Sequence, residues 1–203
     1  MSKWDQLADD STIEKTIKAL KANGIEAEVV EDGETAKKRV LELIPPKSEV
    51  MTMTSMTLEV TGIAKELDES GRYDAMRPKL AKMDYKTQGR EMRKLANVPD
   101  WTIGSIHAVT EDGQLLIASN SGSQLPAYAY SAGNAVLVVG CQKIVKNTDE
   151  GIKRIYEHSF PLEDERAQKA YGMRSGVNKI LIVNKEIQPS RITVILVKEK
   201  LGF

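Results

Sequence analysis

Along the first half of the chain, apolar residues fall alternately at helical spacing and in short extended runs. Ile13, Ile17 and Leu20 share one helical face, and Ser11-Thr12-Ile13-Glu14 ahead of them has the spacing of a capping box. Gly24 stands where a left-handed C-terminal cap closes such a helix. Ile25 to Val30 then reads as a strand, and Asp32 to Ile44 as a second helix, stopped by Pro45-Pro46. Val50 to Met53 is a further strand, and Thr57 is placed to cap a helix from Leu58 to Leu67. Residues 70–98 are helical in pattern but mostly polar, with Met76, Leu80, Met83, Met92 and Leu95 as the apolar positions. They are expected to cover an edge or face of a sheet.

The second half is richer in strands. Thr102 to Val109 is extended, Thr110-Glu111-Asp112-Gly113 is a tight turn, and Gln114 to Ala118 returns. A polar loop, Ser119 to Gln124, precedes a short helix over Ala127 to Ala132 and the apolar strand Ala135 to Val139. An amphipathic helix over Thr148 to His158 leads into a charged connection through Arg166. Ile180 to Val183 and Ile192 to Val197 are the last strands. Strands separated by helices imply parallel crossovers, and the Asp-Gly turn adds an antiparallel pair. The pattern predicts an α/β fold: three layers, a mostly parallel open sheet, helices on both faces, and a local antiparallel hairpin. Ligands of such sheets settle at the carboxyl ends of strands, which points to the loops after Met53, Val109, Ala118 and Val139.

Composition narrows the function. The 203 residues fit one domain. Twenty-nine basic residues balance 29 acidic ones, whereas nucleic-acid binders carry a basic surplus. Cys141 is the only cysteine, so this chain makes no disulfide within itself and no thiolate-rich metal or iron–sulfur site alone; no metal and no cofactor are expected. The start, Met1-Ser2-Lys3-Trp4, lacks a signal-peptide pattern, and no apolar run approaches the roughly 20 residues that span a bilayer. A cytoplasmic protein without membrane contact is expected.

Four segments carry candidate chemistry. In the first, Thr54, Ser55 and Thr57 gather hydroxyls at a strand end and a helix N-terminus, where amides and dipole suit a carboxylate or phosphate. The blander role is that Thr57 caps the helix while the methionines fill the core. Second, Glu111 on the hairpin is a candidate base or nucleophile, although turn tips also carry acids simply because they face water. Third, Ser121-Gly122-Ser123 sits in a loop able to cradle an oxyanion, without the spacing of a P-loop or a dinucleotide fingerprint. Fourth, Asn178 and Lys179 enter a strand, and Lys143 follows another; either lysine suits an anion, or is a solvated strand end. With Gly104 and Gly113 these residues make up the expected ligand-binding set. His107 reads as a hydrogen-bonded core or rim residue, and Cys141 as a small buried hydrophobe.

Three segments, in order, carry a family resemblance: Ser55-Met56-Thr57-Leu58-Glu59-Val60-Thr61-Gly62, the hairpin Ile106 to Leu115, and Val138-Val139-Gly140-Cys141-Gln142-Lys143-Ile144-Val145. Together they resemble the lactate-utilisation (LUD) domain family over about residues 20 to 200. The resemblance implies a relative of the NagB/ribose-5-phosphate isomerase/CoA-transferase fold and a link to the oxidation of lactate, beside iron–sulfur partners whose cysteine motifs this chain lacks. It also implies that Glu111-Asp112-Gly113 is similar to the turn holding the catalytic glutamate of CoA-transferases. The chain departs from many members at Ser121 to Pro126, where they have a Gly-Asn-Arg-type segment.

Three functions follow as expectations. One is a LUD-type component of lactate or organic-acid utilisation that binds a small anionic metabolite without a cluster of its own. Another is an independent acyl or CoA transferase or sugar-phosphate isomerase using Glu111. The third is a non-catalytic assembly module for an iron–sulfur or flavin subunit. The expected partners are that metabolite, such a subunit, and a second copy of the chain.

Overall fold

A computed structural model describes residues 2–203. After a 3-10 turn at Lys3–Asp5 come α1 (Asp10–Ala22), β1 (Glu26–Val30), α2 (Gly33–Leu43) and β2 (Glu49–Thr52). Next are α3 (Met56–Val60), α4 (Ile63–Glu69), β3 (Asp74–Ala75), α5 (Met76–Leu80), α6 (Tyr85–Asn97) and β4 (Trp101–Gly104). Then follow β5 (Ala108–Thr110), β6 (Leu115–Ser119), a π turn at Ala127–Ser131 and β7 (Asn134–Gly140). A 3-10 turn at Cys141–Lys143 and β8 (Ile144–Val145) precede α7 (Thr148–Arg154), a second π turn at Ile155–Ser159 and α8 (Phe160–Tyr171). β9 (Lys179–Val183) and β10 (Ile192–Val197) complete the elements.

Six strands pair in parallel in the order β1-β10-β7-β4-β2-β3. A second sheet, β8-β5-β6-β9, is mixed: β5 and β8 are parallel, while β6 runs antiparallel to both β5 and β9. The fold is thus the α/β, largely parallel architecture that the strand–helix alternation predicts. The antiparallel element is larger than a hairpin, because β9 adds to β6 as a further strand.

Side-chain alternation builds the layers. In β7, Val136 and Val138 face a core made with Ala36, Val40, Leu58, Ile63 and Leu67 of α2, α3 and α4. Leu137 and Val139 face the opposite core, shared with Ile13 and Leu20 of α1 and with Leu115 and Ile117 of β6. Because both faces of β7 are covered, its sequence is a continuous apolar run rather than an alternating one. The second sheet turns its other face, Ala108, Leu116 and Ala118, toward Trp4 and Ile155.

Several boundaries differ from the sequence reading. Asp9 caps α1: its Oδ1 accepts from Thr12 N at 2.8 Å, and Ser11 merely donates to the same oxygen at 2.7 Å. The segment expected as one strand, Thr102 to Val109, is two, because Ser105-Ile106-His107 carry the chain from the first sheet to the second. The expected helix Leu58 to Leu67 is broken at Gly62, which has a left-handed φ of 66°. Its first part, α3, is only five residues, starts from Ser55, and shows no side-chain cap. The covering segment 70–98 includes the edge strand β3, and α6 has no buried residue. The charged stretch through Arg166 is helical, since the π turn at Ile155–Ser159 carries α7 into α8.

Candidate functional site

Three neighbouring strands of the parallel sheet, β2, β4 and β7, end on the same rim as the start of β5 and the end of β6. Between these ends lies a cavity of about 570 Å³. Met53, Thr54 and Ser55 enter it from the loop after β2 and Thr57 from α3, Ser105 and His107 from the crossing between sheets, and Lys143 from the turn after β7. Ser119 comes from the end of β6, Asn120, Ser121 and Ser123 from the loop after it, and α8 closes one side with Phe160, Glu163 and Arg166.

The close packing of the floor requires Gly104. A Cβ there would lie 1.7 Å from the Tyr128 hydroxyl and 3.3 Å from Met53 Cβ. Tyr128 is itself 2 % exposed, and burial raises its phenol pKa. On the far wall, the loop after β6 is held by its own hydrogen bonds. Ser119 Oγ accepts from Gly122 N and donates to Gln124 Oε1, each at 2.8 Å, and the Ser121 and Ser123 hydroxyls are 3.1 Å apart.

Lys143 dominates the electrostatics. It is 2 % exposed, and its Nζ donates to Thr57 Oγ1 at 3.2 Å and to Ser105 Oγ at 3.1 Å. Both partners are neutral, and among the described residues it makes no ion pair. Burial, with the nearby Arg154 guanidinium, pushes the amine down to about 7. Burial, followed by Lys143 and Arg154, likewise pushes His107 down to about 3, so its imidazole is neutral. Its Nδ1 accepts from Ala118 N at 3.1 Å, which puts the ring proton on Nε2. Arg77 is fixed by Thr52 O at 2.9 Å and Thr54 Oγ1 at 2.7 Å. Arg166, in contrast, is taken up by a bidentate pair with Glu163 at 2.7 and 2.8 Å.

Of the residues singled out from sequence, Thr54, Ser55, Thr57, Ser121, Ser123 and Lys143 line this cavity together. Five others do not. Glu111 sits at the opposite end of the β5–β6 hairpin, paired with Lys15 Nζ at 2.8 Å. Gly113, at φ 78°, forms the turn as expected but backs onto Ala19 and Leu20 of α1. Gly122 packs against the methylenes of Lys179, and Asn178 donates to Asn120 Oδ1 at 2.7 Å. Lys179 pairs in register with Ser119 but does not reach the lining. The loop after Val109 is therefore on the wrong rim, and the crossing after Gly104 takes its place. The helix dipole expected behind Ser55 is also weak, since α3 is little more than one turn. Cys141 is fully buried, and burial raises its thiol to about 12, as suits a core residue.

Arg77, Ser105, Tyr128, Glu163 and Arg166 were not marked by the sequence. Only the Gly104-Ser105 break in an apolar run gave a local sign, consistent with a chain leaving one sheet for another.

The sequence model of the LUD domain matches residues 13–197. The chain belongs to the LUD domain family. LUD domains take their name from lactate utilisation, and the three segments quoted above fall inside the matched region. A DUF162 family protein from Deinococcus radiodurans, known from its crystal structure, is similar in fold to this LUD domain. It shares 13 % identity with a TM-score of 0.56, over 95 % of this chain and 99 % of that one. A comparison with curated proteins finds no match. Among the described residues, no helix of this LUD domain is long and apolar enough to cross a membrane.

Proposed function

We propose that the cavity binds a small anionic metabolite, an organic acid in the first instance, as part of lactate or related organic-acid utilisation. One observation carries this reading: the Lys143 ammonium lies at the cavity floor, almost sealed from water, with only hydroxyl partners. A buried charge without a counter-charge is costly, and an entering carboxylate or phosphate supplies one. Arg77 adds a second cation at the Thr54 side; of the two acids in the lining, Glu163 is neutralised by Arg166, and Glu59 is an exposed residue of α3. Because the free amine titrates near 7, anion binding above that pH takes up a proton.

The test is thermal denaturation with lactate, pyruvate, CoA esters and sugar phosphates at millimolar concentration. A ligand at about 100 times its Kd adds about 2.7 kcal/mol, and Lys143→Met should remove the gain. If no anion raises Tm, or if the variant responds as the native chain does, the reading fails. A transferase or isomerase built on Glu111 draws no support from the geometry, because that carboxylate is a hairpin's length from the cavity.

A second reading concerns α6. It buries no residue, exposes Lys86, Arg90, Arg93 and Lys94 against a single acid, Glu91, which pairs with Lys94, and it begins at the exposed Tyr85 and is followed by the exposed Val98. Such a face suits a partner subunit with an acidic surface. Its test is a titration against purified candidate iron–sulfur or flavin subunits, in which Lys86→Glu with Arg90→Glu should abolish salt-sensitive binding.

A further inference from the structure

We propose that Lys143 is a nucleophile that forms an imine with the carbonyl carbon of a small oxo acid held in the cavity. This rests on the anion-binding reading and adds the class of ligand and a covalent step.

The argument begins with hydrogen-bond directions. Thr57 spends its own proton on Leu201 O, 3.1 Å away, so toward Lys143 it is an acceptor. Ser105 Oγ accepts the second N–H. With Cε and these two N–H bonds placed, three of the four tetrahedral directions at Nζ are taken. The fourth belongs to the lone pair of the neutral amine, and Lys143 lines the cavity. In the ammonium the fourth direction carries a third N–H, so the same two bonds also serve a counter-charge. In a nucleophile they fix the direction of attack.

Neighbouring groups complete the step. Arg77, immobilised by Thr52 O and Thr54 Oγ1, is available for the acid's carboxylate. His107 lines the same cavity and, with Nδ1 committed to Ala118, offers only Nε2–H, a donor for oxygen that becomes negative. The amine attacks the carbonyl carbon; the C–N bond forms as the π pair moves onto oxygen. Ser105 passes one proton from nitrogen to that oxygen, giving a carbinolamine. The nitrogen lone pair then expels hydroxide, which takes the remaining nitrogen proton and leaves as water, so the product is a neutral imine. No oxidant or reductant takes part. The lowered amine pKa agrees with this role: at pH 7 Lys143 holds roughly a thousandfold more free amine than an ordinary surface lysine.

The whole chain is incubated at pH 7 with pyruvate or glyoxylate and cyanoborohydride, which reduces an imine to a stable secondary amine. Intact mass and peptide mapping then locate the adduct. One adduct at Lys143, absent from Lys143→Met, is the expected result. Mapping on the native chain decides the matter even if that variant folds poorly. Adducts scattered over surface lysines, or none at Lys143, overturn the proposal. Melting curves with the same acids and with acetate, which has no electrophilic carbonyl, separate the two readings. Stabilisation without an adduct sinks the imine alone, and an adduct at Lys143 without stabilisation by any anion sinks the counter-charge reading alone.

Discussion

Replacing Lys143 with methionine keeps most of the side-chain volume and removes the titrating nitrogen. In the unfolded chain this amine holds its proton to about pH 10.4. In the folded chain it loses it near 7. Between those values the unfolded state binds more protons, so this group makes stability rise with pH, by about 1.4 kcal/mol per unit. Below 7 both states are protonated and the penalty of the buried charge is complete; above 10.4 it has gone. The variant lacks the term altogether. It also leaves the Thr57 and Ser105 hydroxyls without a donor, a pH-independent loss of about 1–3 kcal/mol. The sign at a single pH is therefore not diagnostic, but the slope is. Urea denaturation of both proteins at pH 7, 8 and 9 should show the stability of the native chain gaining about 2–3 kcal/mol on that of the variant across the range. A difference that stays constant with pH would show that Lys143 titrates normally, and the account of a desolvated amine at the cavity floor would be wrong.

Other consequences follow from single contacts. Gly104→Ala forces a methyl onto the Tyr128 hydroxyl, so overpacking should cost at least about 1–3 kcal/mol in thermal denaturation. Adding Tyr128→Phe should recover only part, because the ring carbon Cζ is still 2.8 Å away. Glu111→Gln breaks a solvent-screened pair with Lys15 and should leave both Tm and ligand-induced stabilisation nearly unchanged; a lost ligand response would move the site. Arg191 is 4 % exposed, pairs with the half-buried Glu186 at 2.6 Å and donates to the Tyr128 carbonyl at 2.8 Å. Arg191→Met should cost about 1–3 kcal/mol by chemical denaturation, since it removes the charge partner of that carboxylate and leaves it the Gln188 amide.

The sequence by itself determined the class of fold. Continuous apolar runs at Ala135 to Val139 and Ile192 to Val197 are short and rich in β-branched residues, which marks them as strands covered on both faces. The Asp112-Gly113 turn and the cap at Gly24 were likewise legible, because the left-handed backbone at each glycine is a local requirement. So was half of the site: hydroxyls after β2 and β6 and a lysine after β7 sit where strand ends must lie. What local pattern could not supply was the pairing of distant segments. Glu111 looked catalytic because a hairpin has two ends and nothing in its own residues says which one faces the cavity. That was decided by α1, whose Lys15 and Ala19 pack on the turn. Ser105 and His107 became site residues only because the chain leaves the parallel sheet after Gly104, where β4 ends and the crossing to β5 begins. Arg77 and Arg166 arrive on helices whose own sequences show only solvated charge. Periodicity records what one segment buries, whereas a site is a meeting of segments, and only the tertiary packing states which ends meet.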